Sequence, residues 1–391
     1  MSRRESNPSL RIMEISTLKR PSSSPDLQSS KAVRSTLILQ PKFGSPLLML
    51  SLEKGGCRVY NPADDMVYET KSDLSGYRFL ASSGKWFLVI DPRLKLYIID
   101  VFSEERIELP ALETFKGTIF KLERLGEDKI RNVKMCTFSC FGSPQTAEDV
   151  RGFLWVDDKK GDYVVLWRFE YNEYLAFCKK GDDHYREIPT RVGVRMDLQG
   201  LRDMLLTGYN LYIFSSRNFI RHLDLSGGHD GFTDVSVNHR HPMWLPPLGK
   251  DERERIRKYQ IHKSTARIAV TRSGEVLYVE TYMLNSGMGR MFHLYKRDPK
   301  DLDPNTINTL LVEVHSLGDE ALFLDLGITV PADHTLGIEP NSIYFTRADH
   351  IFHHKSPSIE ICVFSLTTKT FKHFPIFDGS NIKDAKWFLP S

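Results

Sequence analysis

From about residue 45 to its end the chain repeats one pattern: a short apolar run, a turn, and a second run that finishes in a charged turn. Leu47–Leu52 leads to residues 57–60 and the turn Asn61-Pro62-Ala63-Asp64-Asp65. Trp86–Ile90 leads to Leu96–Asp100 and then to Ser103-Glu104-Glu105-Arg106-Ile107-Glu108-Leu109-Pro110. The same order returns at 163–167, 174–178 and 181–189, and again from the run 361–366 into the turn segment 367–375. Such runs are too short for helices, and their β-branched and aromatic residues suit strands. Repeated units of several short strands with polar turns are how a β-propeller reads in sequence. Dividing the roughly 345 residues involved by blades of about 40–50 predicts an all-β propeller of about seven blades, within a range of six to eight. A propeller must also pair its first and last strands, or leave backbone groups bare at two edges. Gly84-Lys85-Trp86-Phe87-Leu88 is echoed by Ala385-Lys386-Trp387-Phe388-Leu389, so the tail is expected to pack beside Leu47–Leu52.

The chain ends are unlike the body. Residues 1–40 are rich in Ser, Arg and Lys, contain Pro8, Pro21 and Pro25, and show no sustained periodicity, which predicts a disordered or partly helical segment ahead of a propeller domain over 41–391. Arg3, Arg4, Arg11, Lys19 and Arg20 alternate with Ser and apolar residues as in a mitochondrial transit peptide, whereas Glu5, Glu14 and Asp26 argue against one. Within the body, 250–263 crowds Asp251, Glu252, Arg253, Glu254, Arg255, Arg257 and Lys258, reading as a short charged helix or solvated loop between strands. A net charge of +3 over 391 residues gives no strong pull toward nucleic acid or anionic membrane. No stretch approaches the ~18 apolar residues of a membrane span. The five cysteines, Cys57, Cys136, Cys140, Cys178 and Cys362, are scattered singly in strand-like runs, as in a protein of the cytoplasm or nucleus. Cys136 and Cys140 are the one close pair, with no further ligand at zinc spacing, so no metal is expected.

No nucleophile elbow, His-Glu-x-x-His or phosphate loop is present, and neither a catalytic residue nor a cofactor is expected. The carboxylate pairs Asp64-Asp65, Asp157-Asp158 and Asp182-Asp183 stand beside Gly, Pro or Lys, where Asp serves hairpin turns by bonding the local backbone. His239, His241, His353 and His354 make two His-rich spots; neighbours in a strand point to opposite faces, so His353 and His354 do not share a ligand position. In Asn238-His239-Arg240-His241-Pro242-Met243-Trp244-Leu245-Pro246-Pro247, Arg240 and Trp244 are candidate partner-binding residues, being of the types that dominate protein contacts. Alternatively Trp244 and Leu245 fold back and cover a blade edge. The runs offer no His, Asp or Glu repeated at equivalent blade positions, which favours a binding module over a propeller enzyme or ligand binder acting at the central channel.

Several stretches resemble a plant family known as domain of unknown function 295, the KIB-type β-propellers. They are Ser316-Leu317-Gly318-Asp319-Glu320-Ala321-Leu322-Phe323-Leu324, Pro340-Asn341-Ser342-Ile343-Tyr344-Phe345-Thr346, Arg58-Val59-Tyr60-Asn61-Pro62, Tyr77-Arg78-Phe79-Leu80-Ala81-Ser82-Ser83-Gly84-Lys85-Trp86 and the closing Lys386-Trp387-Phe388-Leu389-Pro390. The resemblance implies a propeller that receives substrates for a ubiquitin ligase, since the Brassicaceae branch commonly carries an N-terminal F-box that docks on Skp1. Here Asp26-Leu27-Gln28-Ser29-Ser30-Lys31-Ala32-Val33 resembles the last part of an F-box, but Arg34 stands where Cys, and Leu37 where Trp, would close it. Pro21 and Pro25 would break helices in its first half. The expectation is therefore a truncated or degenerate F-box, an unidentified protein partner held by the propeller, and doubtful engagement of Skp1.

Overall fold

The computed structural model describes residues 44–52, 56–70, 74–135, 140–169, 173–227, 231–236, 242–243, 245–246, 254, 263–283, 290–298, 311–346, 361–374 and 382–390. All belong to the unit Arg34–Ser391, and the boundary expected at residue 40 lies outside them. The first blade holds β1 (Leu47–Leu52), β2 (Cys57–Asn61) and β3 (Met66–Glu69); the second holds β4 (Arg78–Ser83), β5 (Trp86–Ile90), β6 (Leu96–Asp100) and β7 (Arg106–Glu108). A separate sheet of β8 (Phe120–Arg124), β9 (Ile130–Lys134) and β10 (Cys140–Gln145) follows. The third blade is β11 (Val150–Asp157), β12 (Asp162–Phe169), β13 (Tyr174–Lys179) and β14 (Arg186–Pro189). The fourth is β15 (Asp203–Thr207), β16 (Asn210–Phe214), β17 (Ile220–Asp224) and β18 (Thr233–Asp234). The fifth is β19 (Lys263–Val270), β20 (Val276–Met283), β21 (Arg290–Arg297) and β22 (Leu311–Glu313). The sixth takes β23 (Glu320–Phe323), β24 (Ile328–Pro331), β25 (Ser342–Phe345), β26 (Cys362–Ser365) and β27 (Phe371–His373). Last comes β28 (Ile382–Phe388), which returns to β1 and completes the first blade.

Alternation along these strands builds the ring, because each middle strand is covered on both faces. On β5, Phe87 and Val89 pack with Leu47 and Met49 of the first blade, whereas Trp86, Leu88 and Ile90 pack with Val165 and Trp167 of the third. On β1, Leu48 and Leu50 turn the other way and meet Phe323 and Tyr344 of the sixth. Among the described residues each of the six wedges between neighbouring blades holds one apolar cluster, so the ring closes at six. The count sits at the low end of the expected range, one below the seven that length suggested. Each blade consumes about 57 residues on average, above the usual 40–50, because the chain also makes the side sheet and long connections. That sheet inserts Phe120, Leu122 and Ile130 beside Trp167 and Tyr174 without contributing a channel strand.

Ring closure is as the echoed tail led one to expect: Leu47 lies opposite Phe388 and Leu48 opposite Trp387. The charged segments at 103–110, 181–189 and 367–375 hold more than turns, since β7, β14 and β27 lie within them as outermost strands. In four-stranded antiparallel blades the inner hairpin turn and the outer one share a face. The opposite face carries the middle turns and the crossovers to the next blade. It also carries the large insertions, 109–149 with the side sheet and the crossover 190–202. Hydrogen bonds knit it together: Thr190 N–H to Glu173 O at 2.9 Å, and Ser216 N–H to Gln199 O at 3.3 Å. Of 250–263, Glu254 is helical and Lys263 opens β19; the rest lies outside the described residues.

Candidate functional site

The six innermost strands, β28, β4, β11, β15, β19 and β24, surround a channel cavity of about 730 Å³. An innermost strand has a full neighbour on one side only, so its other edge would face the channel unpaired; β19 and β24 meet there at a single bridge, Val270 opposite Ile328. Charged side chains on these strands bind backbone groups there, Arg78 and Asp203 those of the adjacent blade and Arg151 those just ahead of it in its own chain. Arg78 of β4 donates through Nη1 to the carbonyls of Ala147 at 2.6 Å and Val150 at 2.7 Å, at the start of the third blade. Buried Arg151 donates to the carbonyls of Glu148 at 2.8 Å and Val150 at 2.9 Å. Asp203 of β15 accepts the N–H of Ile268 on β19 through Oδ2 at 2.7 Å.

Beside it, Arg267 of β19 places Nη1 3.7 Å from Oδ1 of Asp325 in the sixth blade. Asp325 in turn accepts the N–H of Thr346 at 2.9 Å and its hydroxyl at 2.6 Å. Asp203, Arg267 and Asp325 thus carry a polar seam across blades four, five and six. Burial pushes the Asp203 carboxyl up to about 6, although the Arg267 charge and the N–H of Ile268 pull it down. Asp333, also on the channel wall, accepts the N–H and hydroxyl of Thr335 in a local turn, at 2.8 and 2.7 Å. The carboxylates of this wall therefore bind neighbouring backbone and hydroxyl groups rather than converge on one point. Among the described residues no group of three or more His, Cys, Asp or Glu is placed to hold a metal.

The residues singled out from the sequence fall as follows. Asp64 accepts from Asn61 Nδ2 at 2.9 Å, the Met66 N–H at 3.1 Å and the Tyr68 hydroxyl at 2.7 Å, all within one hairpin turn. Asp157 caps the turn at Lys159 and Lys160, both at 3.2 Å. Asp158 accepts from Trp86 Nε1 at 3.0 Å, and Asp182 takes both Nη atoms of Arg186 at 3.0 and 2.9 Å. All three pairs sit at turns, as their neighbours indicated, but Asp158 directs its carboxylate to Trp86 and Lys85 of the second blade rather than to local backbone. Cys57, Cys178 and Cys362 are buried; Cys136 and the side chain of Cys140 lie outside the described residues. So do His239, His241, His353, His354, Arg240 and Trp244. The two described neighbours of Trp244 face inward: Met243 is buried with Ile220 and Tyr278, and Leu245 packs against the same cluster. Arg78, Asp203, Arg267 and Asp325 were not singled out, because no local motif links residues that meet only when the ring closes.

Residues 59–365 match the model of the family described as KIB1-4 beta-propeller. The chain is similar to the Arabidopsis thaliana protein named F-box protein At5g25290, 47% identical over 363 residues that cover 90% of this chain and 86% of the relative. It is similar to F-box protein At2g14290 of the same plant, 41% identical over 366 residues, 91% of this chain and 88% of the relative. To F-box protein KIB4, also of Arabidopsis thaliana, it is 32% identical over 352 residues, 86% of this chain and 80% of the relative. No helix among the described residues is long and apolar enough to cross a membrane.

Proposed function

This chain belongs to the KIB1-4 β-propeller family, and on that premise we propose that it is a non-enzymatic protein-binding propeller of the substrate-receptor type used by ubiquitin ligases. The observation that carries the reading is the alignment of relatives named F-box proteins along about nine tenths of the chain, with 47% and 41% identity. A closed ring with an apolar cluster in every wedge is a rigid platform, and rigidity spares a partner part of the ordering cost of binding. The charged groups of the channel wall support the same reading, since they hold blades together. Its place of action is the cytoplasm or nucleus, where ubiquitin ligases work.

The finer part of the proposal concerns Skp1. An F-box docks on Skp1 through a continuous apolar helical surface, and 26–37 puts Arg34 and Leu37 at positions where the family pattern has Cys and Trp. Burying an unpaired guanidinium costs several kcal/mol, about as much as a micromolar complex has to spare. This chain is therefore expected to engage Skp1 weakly or not at all while its propeller binds a protein partner. A pull-down with purified Skp1, alongside an F-box relative as positive control, tests it; comparable recovery of both would restore a full ligase receptor. A second reading, capture of a small ligand, rests on the channel cavity of about 730 Å³, which is within the usual size of ligand sites. Saturable binding of a small molecule that Arg267→Ala abolishes would favour it.

A further inference from the structure

We propose that the partner docks on the crossover face of blades three and four, and that it presents an acidic segment carrying apolar side chains. The proposal rests on the protein-binding reading and adds to it a face and a chemistry. Among the described residues the exposed large apolar side chains are Leu125, Met135, Val192 and Met196, and Met196 leads at 62% exposure. Three of them gather at one place. Glu173 lies between Lys134 Nζ at 3.5 Å and Arg191 Nη1 at 3.4 Å, and these cations are the chain neighbours of Met135 and Val192. Met196 follows on the same crossover, whose end is tied to the next turn by the Ser216 hydroxyl donating to Gln199 O at 2.9 Å. Exposed apolar side chains clustered on a surface mark an interaction site, whereas one standing alone, as Leu125 does, is ordinary. Methionine suits such a site, being unbranched and polarisable enough to adapt to varied apolar partners.

Charge gives the partner its sign. Lys134, Arg191 and Arg195 stand on this patch with the carboxylates of Glu173 and Asp197, and Arg202 ends the crossover bonded to Asn218, in the turn that carries exposed Arg217. Arg195 Nε pairs with Asp197 at 2.7 Å, and among the described residues neither Arg202 nor Arg217 has a carboxylate within ion-pair distance. Five cations against two carboxylates, on a chain whose whole surplus is +3, make this crossover locally basic. Complementary potential steers an acidic partner in and disfavours a basic one. Glu173 and Asp197, set among the cations, would repel a continuous row of phosphates, which favours a protein chain over nucleic acid or an anionic membrane.

The test is selection of a random 12-residue peptide library displayed on phage against the full-length protein, followed by fluorescence anisotropy on the selected peptides. The selected peptides should be richer than the library in Asp and Glu together with Leu, Ile, Phe or Trp. Their affinity should fall at least about tenfold in Arg195→Glu/Arg217→Glu and also in Met196→Asp. These side chains are exposed, so thermal unfolding of both variants should match the wild type. Peptides of neutral or basic composition, or acidic ones that bind the variants equally well, would move docking elsewhere and leave the protein-binding reading standing. No peptide above background would overturn both. Binding to phosphatidylserine vesicles that the double variant abolishes would assign the patch to a lipid surface. Self-association that Met196→Asp abolishes would assign it to a second copy of the chain. Either result would overturn the proposal.

Discussion

Asp203 is the residue at which burial and charge pull hardest against each other. An unfolded Asp titrates near ~3.9, whereas burial holds this carboxyl at about 6. Between those values the folded chain keeps a proton that the unfolded chain has released. Its contribution is therefore fully present below about pH 4 and is lost as pH rises through 6, by roughly 2–3 kcal/mol. Asp100 works in the opposite sense: burial raises it, but the N–H of Phe102, the Ser103 hydroxyl and Lys85 outweigh burial and hold it below its ordinary value. Its stabilisation is present above the ordinary carboxylate range and fades as pH falls, in wild type and variant alike. Asp203→Asn keeps an acceptor for the Ile268 N–H and removes the titration. Urea midpoints from pH 4 to 7 should show the Asn variant gaining on the wild type through that window; parallel curves would mean Asp203 is not desolvated. Asp64, Asp157 and Asp182 were legible as turn residues because the turn lies next to them in sequence. Asp203, Arg267 and Asp325 were not, because each finds its partner in a different blade.

At the scale of elements, the middle strands were legible and the outermost were not. β5 reads Trp-Phe-Leu-Val-Ile and is buried throughout, while β7 reads Arg-Ile-Glu with only its Ile sheltered. A strand with one neighbour and one covered face carries too few apolar residues to stand out from a charged turn. The sixth blade hid its order for another reason: β24 takes the channel position although β23 precedes it, and β23 runs parallel to β25. Apolar runs record which segments are strands but not the sequence in which they are laid side by side. Contact between blades also depends on what is missing from a strand. Gly152 of β11 passes so close to the second blade that a Cβ there would lie 2.6 Å from Leu88 Cδ2 and 2.9 Å from Leu80 Cβ. Leu80 Cβ is anchored to its backbone and cannot swing away, so the two blades would have to part. Gly152→Val is expected to cost roughly 1–3 kcal/mol in chemical denaturation. An unchanged midpoint would show that blades two and three are not packed at that distance.

For the whole molecule, the propeller architecture and its closure could be read from the repeated runs and the echoed tail, and the number of blades could not. Length divides by blade size only when the residues between blades are few, and here a side sheet and long crossovers occupy many of them. Closure itself is open to a direct test, because it makes the position of a cut matter more than its length. β28 supplies the innermost strand of the first blade, and Trp387, fully buried, sets its ring edge-on to Tyr344 with centroids 5.4 Å apart. Removing 382–391 strips away Trp387 and Phe388, each worth about 3–5 kcal/mol as a large core side chain. That loss is comparable to the whole stability of a domain, so the truncated chain should not hold a folded ring. The ends of the described propeller touch, with the Gly44 N–H 2.5 Å from the Pro390 carbonyl. A permuted chain can therefore join 390 to 44 by a short linker, omit 1–43, and open instead between exposed Lys159 and Lys160, in the turn from β11 to β12. It keeps every strand and merely passes closure to the third blade, where β11 and β12 pair across the new ends as they do now across the turn. Circular dichroism and denaturant unfolding should show the permuted chain folded and cooperative and the truncated one unfolded. A truncated chain as stable as the full one would mean that the ring does not depend on β28 for its closure.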